Sequence, residues 1–214
     1  MIINVLVDNP NSWFVEYARE LVDYLKNMGN ISELVFNQHD IKSSDVCFLL
    51  SCTKIVNESF LSRNQHNIVV HASDLPAGKG FTPMKWQVLE GKNEIILTLF
   101  EAVESVDAGP YYMKDKVTFS GYELLDELNH ILANKIIEMC LRYVGNIDKY
   151  QRIAQQGEES FYSRRKIDDD KLDVDKTIRE QFNLLRIADN ENYPVWFEID
   201  NKKYVLKIYE DKDI

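Results

Sequence analysis

Cysteine is scarce in this chain of 214 residues, which contains only Cys47, Cys52 and Cys140. The three form no CxxC pair, and Cys47 and Cys140 lie in apolar runs typical of a protein core. The pattern argues against a disulfide framework, and no metal site is predicted. It favours reduced thiols and a cytoplasmic setting.

Positive charge and long apolar runs are also in short supply. Lys and Arg number 25 against 35 Asp and Glu, which gives a formal net charge of −10. Clustered cations are what nucleic acids and anionic membranes attract, so strong non-specific binding to either is not expected. No apolar stretch reaches the roughly 18 residues of a membrane span, and the amino terminus lacks a basic leader region. We therefore expect a small-molecule partner, no nucleic acid, no membrane insertion and no secretion.

The hydrophobic content, 45% of the chain, is sufficient to bury a full core. Five strands are predicted at residues 1–8, 31–36, 46–50, 68–70 and 95–100, and helices at 13–28, 57–63, 83–89 and 122–143. Strands that alternate with helices are typical of an α/β fold with a Rossmann-like, mostly parallel sheet. We expect residues 1–145 to form the main domain.

Beyond Gly145 the character of the chain changes. Residues 158–175 are polar and charged, which predicts a surface linker. A helix is predicted at 177–187, and strands at 195–199 and 203–208 flank a short polar turn. Residues 146–214 are therefore expected to form a small appendage, a helix plus a β-hairpin, that completes the fold. Its apolar side chains could cover the core or a second subunit, so a homodimer is an open alternative.

Two reactive side chains, His71 and Asp107, each follow a run predicted to be a buried strand. Ligands of open parallel sheets bind outside the carboxyl ends of the strands, so the two side chains are expected to converge there. A histidine and a carboxylate in contact can transfer protons. The alternative, in a chain rich in acidic residues, is that the two never meet.

Residues 71–76 read His-Ala-Ser-Asp-Leu-Pro, with Gly-Lys-Gly at 78–80, Thr-Pro at 82–83 and Asp-Ala-Gly at 107–109. These stretches resemble the two motifs of the folate-dependent formyltransferases, and the 36 positions between His71 and Asp107 suit that family. The resemblance covers residues 1–145 and implies the formyltransferase fold.

The resemblance also implies an enzyme that uses N10-formyltetrahydrofolate as formyl donor. We assign His71 to oxyanion binding and proton transfer, and Asp107 to orienting His71 and relaying a proton. The donor's pterin is expected against the backbone of two loops, made of Thr53, Lys54, Ile55 and Val56 and of Ser105, Val106 and Asp107. The acceptor is expected to contact Ser73, Asp74, Gly78, Lys79 and Gly80, with Lys79 near its phosphates.

The chain departs from this family at Val69, two positions before His71, where the family has an asparagine. A valine side chain cannot donate a hydrogen bond to an oxyanion. Lys85, in the helix predicted at 83–89, is a candidate catalytic substitute. The alternative is a solvated lysine, which full turnover by Lys85→Met would support.

Residues 73–76 and 86–95 are most similar to bacterial nucleotide-sugar N-formyltransferases, particularly the short type of pseudaminic acid biosynthesis. This resemblance implies formylation of the 4-amino group of a UDP-linked 4-amino-4,6-dideoxy sugar. Two alternatives stay open. One is a catalytically impaired module that only binds folate or a nucleotide sugar, and the other is formylation of another small or carrier-bound amine.

Overall fold

The computed structural model describes residues 1–211. The strands in this part of the chain are β1 (Ile2–Leu6), β2 (Ile31–Val35), β3 (Ser44–Leu49), β4 (Asn64–His71), β5 (Lys79–Gly80), β6 (Glu94–Glu101), β7 (Tyr111–Thr118), β8 (Phe161–Tyr162), β9 (Val195–Ile199) and β10 (Lys202–Leu206). The helices are α1 (Val15–Asn27), α2 (Glu58–Leu61), α3 (Pro83–Leu89), α4 (Leu125–Val144) and α5 (Phe182–Arg186), with 3₁₀ turns at Ile147–Lys149, Ile167–Asp170 and Arg179–Gln181.

The central sheet has six strands in the order β2-β1-β3-β4-β6-β7. The first four run parallel, which confirms the predicted mostly parallel α/β sheet. β6 and β7 are antiparallel to their neighbours, so the fifth predicted strand runs opposite to the direction expected from simple alternation. The register explains why: Thr98 pairs with His71, so β6 begins beyond the carboxyl end of β4. The segment containing α3 therefore does not cross the sheet, as a parallel connection would require.

Sequence patterning missed β7, because its central residues Lys114, Asp115 and Lys116 are charged. β7 is the edge strand of the sheet, and edge strands commonly carry charged side chains. Lys116 pairs with Glu94 of β6 at 2.6 Å, and Asp115 accepts a hydrogen bond from Arg142 of α4 at 2.8 Å. Its charges are therefore used in packing the edge.

Helices α1 and α4 pack together in the larger apolar cluster on one face of the sheet. The predicted helices at 13–28 and 122–143 both form, with slightly different ends. The buried residues of α1 recur at helical spacing and are Val15, Ala18, Leu21, Val22 and Leu25. Alternate residues of the inner strands face a second cluster with Phe60 of α2. Both faces are thus covered, which accounts for the nearly continuous apolar runs of these strands.

The C-terminal segment is tied to the main body by α5. Arg186 of α5 is 1% exposed, donates to the carbonyl oxygen of Glu123 at 3.0 Å, and pairs with the Glu123 carboxylate at 3.2 Å. Ile187 joins the larger apolar cluster. The predicted helix at 177–187 is shorter than expected, since only Phe182–Arg186 is α-helical.

The predicted surface linker at 158–175 is in part a structured segment. Phe161–Tyr162 pairs in parallel with Lys79–Gly80, and the Tyr162 ring stacks on Trp86 of α3 at 6.2 Å. The predicted C-terminal hairpin forms as β9 and β10, and Asp200 and Asn201 adopt left-handed conformations in its tight turn. Among residues 1–211, no helix has both the length and the hydropathy that a membrane crossing requires.

Candidate active site

A cleft with a volume of about 430 Å³ opens at the carboxyl ends of β3 and β4. Its walls come from residues 13–14, 49–56, 69–72, 80–85 and 102–107, together with Phe100 and with Asn129, Leu132 and Ile136 of α4. This volume falls in the range of about 300–1,000 Å³ that small-molecule sites occupy. The cleft is therefore the candidate active site.

His71, the last residue of β4, lies in this cleft with its side chain 10% exposed. Its Nε2 donates a hydrogen bond to the carbonyl oxygen of Gly78 at 2.9 Å. Because a carbonyl oxygen only accepts, Nε2 must carry the hydrogen. In the neutral ring, Nδ1 is then an acceptor, and it has no hydrogen-bond partner among residues 1–211. The fold thus leaves one imidazole nitrogen available to a ligand.

Asp107 lies beside His71, with its Oδ2 3.8 Å from His71 Nε2 and its side chain 13% exposed. Oδ2 also accepts from the backbone N–H of Gly80 at 2.8 Å. The side chain of Gln155 donates to the carbonyl oxygen of Asp107 at 3.0 Å, which holds the loop from its other side. Asp107 is therefore fixed against the histidine by groups from two distant parts of the chain.

The route by which Asp107 reaches His71 differs from the expected one. β6 is antiparallel, so its carboxyl end points away from the carboxyl end of β4. The loop at residues 102–110 has to fold back to the cleft. Gly109 permits this, since its Cα lies so close to the carbonyl oxygen of Glu101 that a Cβ atom would collide with it. The glycine of the Asp-Ala-Gly motif is explained by this close approach.

Backbone strain is concentrated at the cleft. Five non-glycine residues among 1–211 have positive φ, and three of them, Ser51 (54°), Thr82 (45°) and Asp107 (51°), line the cleft. The other two, Asp200 and Asn201, form the hairpin turn. Such conformations cost about 1–3 kcal/mol each and cluster at functional sites, so their position supports a ligand-binding role for the cleft.

The two loops expected to hold a pterin both line the cleft. Thr53, Lys54, Ile55 and Val56 form one side, and Ser105, Val106 and Asp107 the other. Asp8 accepts from the backbone N–H groups of Thr53 at 2.7 Å and Lys54 at 2.6 Å, which fixes the first loop to the end of β1. The side chains of Ile55 and Val106 are 72% and 50% exposed, so the loops present apolar surface as well as backbone.

Cys52 also lines the cleft, but its chemistry is that of a buried thiol. Burial raises the pKa of Cys52 to about 12, with a further contribution from the nearby Asp8 carboxylate. The thiol donates to the carbonyl oxygen of Leu6 at 3.3 Å. A neutral, hydrogen-bonded thiol is a poor nucleophile, so the arrangement offers no covalent cysteine chemistry.

Of the five residues expected to contact the acceptor, only Gly80 lines the cleft. Ser73 is buried, and Asp74 pairs with Lys114 of β7 at 2.5 Å. Lys79 is 3% exposed and its ammonium pairs with Glu159 at 2.6 Å, because the pairing of β5 with β8 turns it toward the C-terminal segment. Gly78 contributes its carbonyl oxygen to His71.

Lys85 lies in the first turn of α3 and lines the cleft, as expected of a candidate site residue. Burial lowers the pKa of its ammonium; among nearby charges, Asp189 and Asp170 oppose that shift and Arg165 adds to it. These charges belong to the C-terminal segment. The ammonium of Lys85 makes no ion pair or hydrogen bond with the described residues.

Val69 lies in an apolar part of the cleft. Val69 lines the cleft and packs against the second apolar cluster, which includes Cys47 and Leu49 of β3. Phe81 and Asn129, two further cleft residues, did not emerge from sequence reasoning. The signal for Asn129 was a polar residue beside the apolar stripe of α4, and for Phe81 an aromatic residue inside a glycine-rich loop.

Solved structures with the same fold include three of particular interest. A methionyl-tRNA formyltransferase from Clostridium thermocellum is 15% identical with a TM-score of 0.82, covering 100% of this chain and 94% of that one. A 4-N formyltransferase from Francisella tularensis is 18% identical with a TM-score of 0.75, covering 99% and 98%. HypX from Aquifex aeolicus in complex with tetrahydrofolic acid is 13% identical with a TM-score of 0.77, covering 96% and 37%. At these identities the likeness shows the fold.

Comparison of sequences identifies the family of this chain. The methionyl-tRNA formyltransferase of Mycoplasma mycoides subsp. mycoides SC is 24% identical over 179 residues, which are 78% of this chain and 55% of that protein. The chain thus spans about half the length of the curated relatives it matches. A family model described as "Formyl transferase" matches residues 10–140, which are more than half of the chain and include every residue that lines the cleft. The chain belongs to the formyl transferase family.

Proposed function

We propose that this chain transfers a formyl group from N10-formyltetrahydrofolate to the amino group of a nucleotide-linked sugar. The observation that carries the proposal is the contact of His71 with Asp107 in the cleft, with His71 Nδ1 left free of protein partners. A 4-amino-4,6-dideoxy sugar linked to UDP, of the pseudaminic acid type, is the acceptor we favour, and the cytoplasm is the expected setting.

In this proposal His71 and Asp107 carry out the proton transfers. Gly78 holds His71 through Nε2, which leaves Nδ1 without a protein partner among residues 1–211; we assign Nδ1 of the protonated ring the role of donor to the formyl oxygen as negative charge develops there. The Asp107 carboxylate, 3.8 Å from Nε2, stabilises the protonated ring and accepts the proton that the attacking amine loses. His71 or Asp107 then returns a proton to the nitrogen from which the formyl carbon departs.

The donor supplies the formyl carbon, and the two cleft loops fit it. The backbone N–H groups of Ile55, Val56 and Val106 make no hydrogen bond with residues 1–211, so they are available to the polar edge of a pterin. The exposed side chains of Ile55 and Val106 offer apolar surface to its ring faces. The complex of HypX with tetrahydrofolic acid supports a folate ligand for this fold.

The relatives differ in the acceptor that their names give. The Francisella protein is a 4-N formyltransferase, whereas the curated relatives act on methionyl-tRNA by name. The net charge of −10 favours the small acceptor, since binding of tRNA rewards an excess of cations.

The test is formyl transfer by the purified protein to a panel of UDP- and dTDP-linked 4-amino and 3-amino sugars, followed by product mass. We expect His71→Asn and Asp107→Asn each to reduce kcat by about 10²–10⁴-fold, the contribution of one general acid–base group. His39→Asn, at an exposed histidine in the loop after β2, is the matched control and should retain full activity. Turnover of both site variants within a few-fold of the parent would show that the pair is not catalytic.

Val69 favours a second candidate, a module that binds folate or a nucleotide sugar without efficient transfer. A valine side chain has no donor at the position where the family has an amide, and the Cys52 thiol of the same cluster already donates to the carbonyl oxygen of Leu6. Measurable binding of both ligands by the parent, with no formylated product, would support this second candidate. Binding of neither ligand would contradict both.

A further inference from the structure

The mouth of the cleft carries an exposed aromatic ring beneath an arginine. Phe81, the residue after Gly80, lines the cleft and is 44% exposed. The guanidinium carbon of Arg164 lies 5.8 Å from the centre of its ring. Arg164 is exposed and makes no hydrogen bond or ion pair with residues 1–211. Its guanidinium therefore has no carboxylate partner among these residues.

Arg165, the next residue along the chain, has a structural role. Arg165 stacks on Trp86 at 5.3 Å and pairs with Asp170 at 2.5 Å, so its charge is satisfied within the chain. Arg164, one residue earlier, has the ring of Phe81 and no counter-charge. The guanidinium of Arg164 is therefore available to an anionic ligand, whereas that of Arg165 is already paired.

The backbone that carries Arg164 is fixed against the cleft. β8 pairs with β5, and the backbone N–H of Phe81 donates to the carbonyl oxygen of Tyr162 at 3.0 Å. Trp86 Nε1 donates to the carbonyl oxygen of Ser163 at 2.9 Å. Arg164 is thus held beside Phe81 by hydrogen bonds on both sides of the contact, and its position does not depend on its own side chain.

A second cation that makes no ion pair with residues 1–211 lies in the next turn of the chain. Lys85 lines the cleft, and its backbone N–H donates to the carbonyl oxygen of Thr82 at 3.0 Å, so it follows Phe81 by one turn. Burial lowers the pKa of its ammonium, and the carboxylates that oppose this shift, Asp189 and Asp170, form no ion pair with it within 4.0 Å. A partly desolvated cation is costly unless an anion pairs with it, so the site favours an anionic ligand.

This mouth adjoins the reacting centre. Gly80, which precedes Phe81, donates its N–H to Asp107 at 2.8 Å. A ligand whose anionic part lies at Arg164 and Lys85 can therefore extend a short distance and present an amine to His71 and Asp107. A sugar joined to a diphosphate has this arrangement of charge, sugar and amine.

We propose that Phe81, Arg164 and Lys85 form the nucleoside diphosphate site of the acceptor. Arg164 and Lys85 bind the diphosphate, the first through the planar fork of its guanidinium and the second as a point charge. Phe81 packs against the nucleobase or ribose. The inference rests on the proposed function, and it moves the phosphate contact from Lys79, which pairs with Glu159, to two cations that make no ion pair with residues 1–211.

Equilibrium binding of UDP and dTDP to the full chain tests this site without requiring any transfer. We expect Arg164→Gln and Lys85→Met each to raise the Kd for the nucleoside diphosphate by about tenfold or more, the loss of one charge-assisted contact. Phe81→Ala should weaken UDP binding while leaving inorganic pyrophosphate binding near the parent value. Arg179→Gln, at an exposed arginine of the same segment, is the control and should bind like the parent.

The outcomes separate the inference from the proposed function. Parent-like Kd values in both Arg164→Gln and Lys85→Met, or no nucleotide binding by the folded parent, would overturn the assignment even if formyl transfer occurs. Tight UDP binding that is lost in both variants, in a protein that transfers no formyl group, would keep the site and reject the reaction. With an active parent, the same variants should raise the acceptor KM far more than they lower kcat.

Discussion

Val69 lies on the same face of β4 as His71, because alternate residues of a strand point to the same side. Val69 packs against the same apolar cluster as Cys52, Val56 and Ala102; of these only Cys52 has a side-chain donor, and its thiol already donates to the carbonyl oxygen of Leu6. His71 is therefore the side chain on this strand that can stabilise charge on a formyl oxygen. A cleft with one such donor is expected to be slower than one with two.

Restoring the missing amide tests this reasoning. One oxyanion donor contributes ~10²–10³-fold to kcat. We expect Val69→Asn to recover part of this and to raise kcat for formyl transfer about tenfold or more. Steady-state kinetics with a saturating amino-sugar nucleotide would measure it. Val69→Leu, which changes size without adding a donor, is the control and should not gain. An asparagine variant that keeps the parent Tm and is no faster would mean that other groups already stabilise the oxyanion.

At the scale of elements, the two-residue strand β5 connects the cleft to the C-terminal segment. Gly80 has a φ of 98°, and a Cβ atom there would collide with the carbonyl oxygen of Tyr162 in β8. The same glycine donates its N–H to Asp107. One backbone position therefore controls both the pairing of β5 with β8 and the placement of the carboxylate.

Gly80→Ala should accordingly lose both stability and activity. Gly91 is the matched control, since it also has positive φ, 84°, but open space where the Cβ would lie. Both alanine variants should lose about 1–2 kcal/mol of unfolding free energy from the left-handed conformation. Gly80→Ala alone should lose more than this and show a lower kcat. Equal stability and equal activity of the two variants would contradict the close approach described here.

The loop before α4 contains a largely buried carboxylate, that of Glu123. The Glu123 carboxylate accepts from the backbone N–H groups of Ser120 at 2.6 Å and Gly121 at 3.1 Å, and it pairs with Arg186. Burial alone would raise the pKa of Glu123, but these hydrogen bonds prevail and lower it to about 2. The ordinary value is about 4.3. The unfolded chain thus binds the proton at higher pH than the folded one does.

This difference predicts how stability depends on pH. The contribution of Glu123 is fully present above its ordinary pKa of about 4.3 and is lost as pH falls through the folded pKa of about 2. Glu123→Gln should lower the unfolding free energy at pH 7 by about 1.5–3 kcal/mol, and the deficit should shrink through this acidic window. Urea unfolding at a series of pH values would measure it, with the exposed Glu20→Gln as control. A deficit independent of pH would exclude ionic bonding as the cause.

At the scale of the whole molecule, sequence patterns predicted the features that are determined by residues close together in the sequence. Periodicity found α1, α4 and the hairpin, and the motif around His71 and Asp107 located the cleft. The direction of β6, the edge strand β7 and the pairing of Phe161–Tyr162 with Lys79–Gly80 depend on contacts between distant residues. The placement of Lys79 failed for the same reason, since its partner Glu159 lies 80 positions away.

The overall charge yields a prediction for the molecule as a whole. Residues 1–214 carry a net charge of −10, and the proposed diphosphate site uses two cations, Arg164 and Lys85. Binding to tRNA draws on many phosphate contacts, each of which steepens the dependence on salt. We expect filter binding to detect no complex between this chain and methionyl-tRNA at moderate salt, while UDP binds under the same conditions. Retention of tRNA with a steep salt dependence would instead favour the acceptor named for the curated relatives. A direct competition, with methionyl-tRNA and an amino-sugar nucleotide offered together with one formyl donor, would then show which amine receives the formyl group.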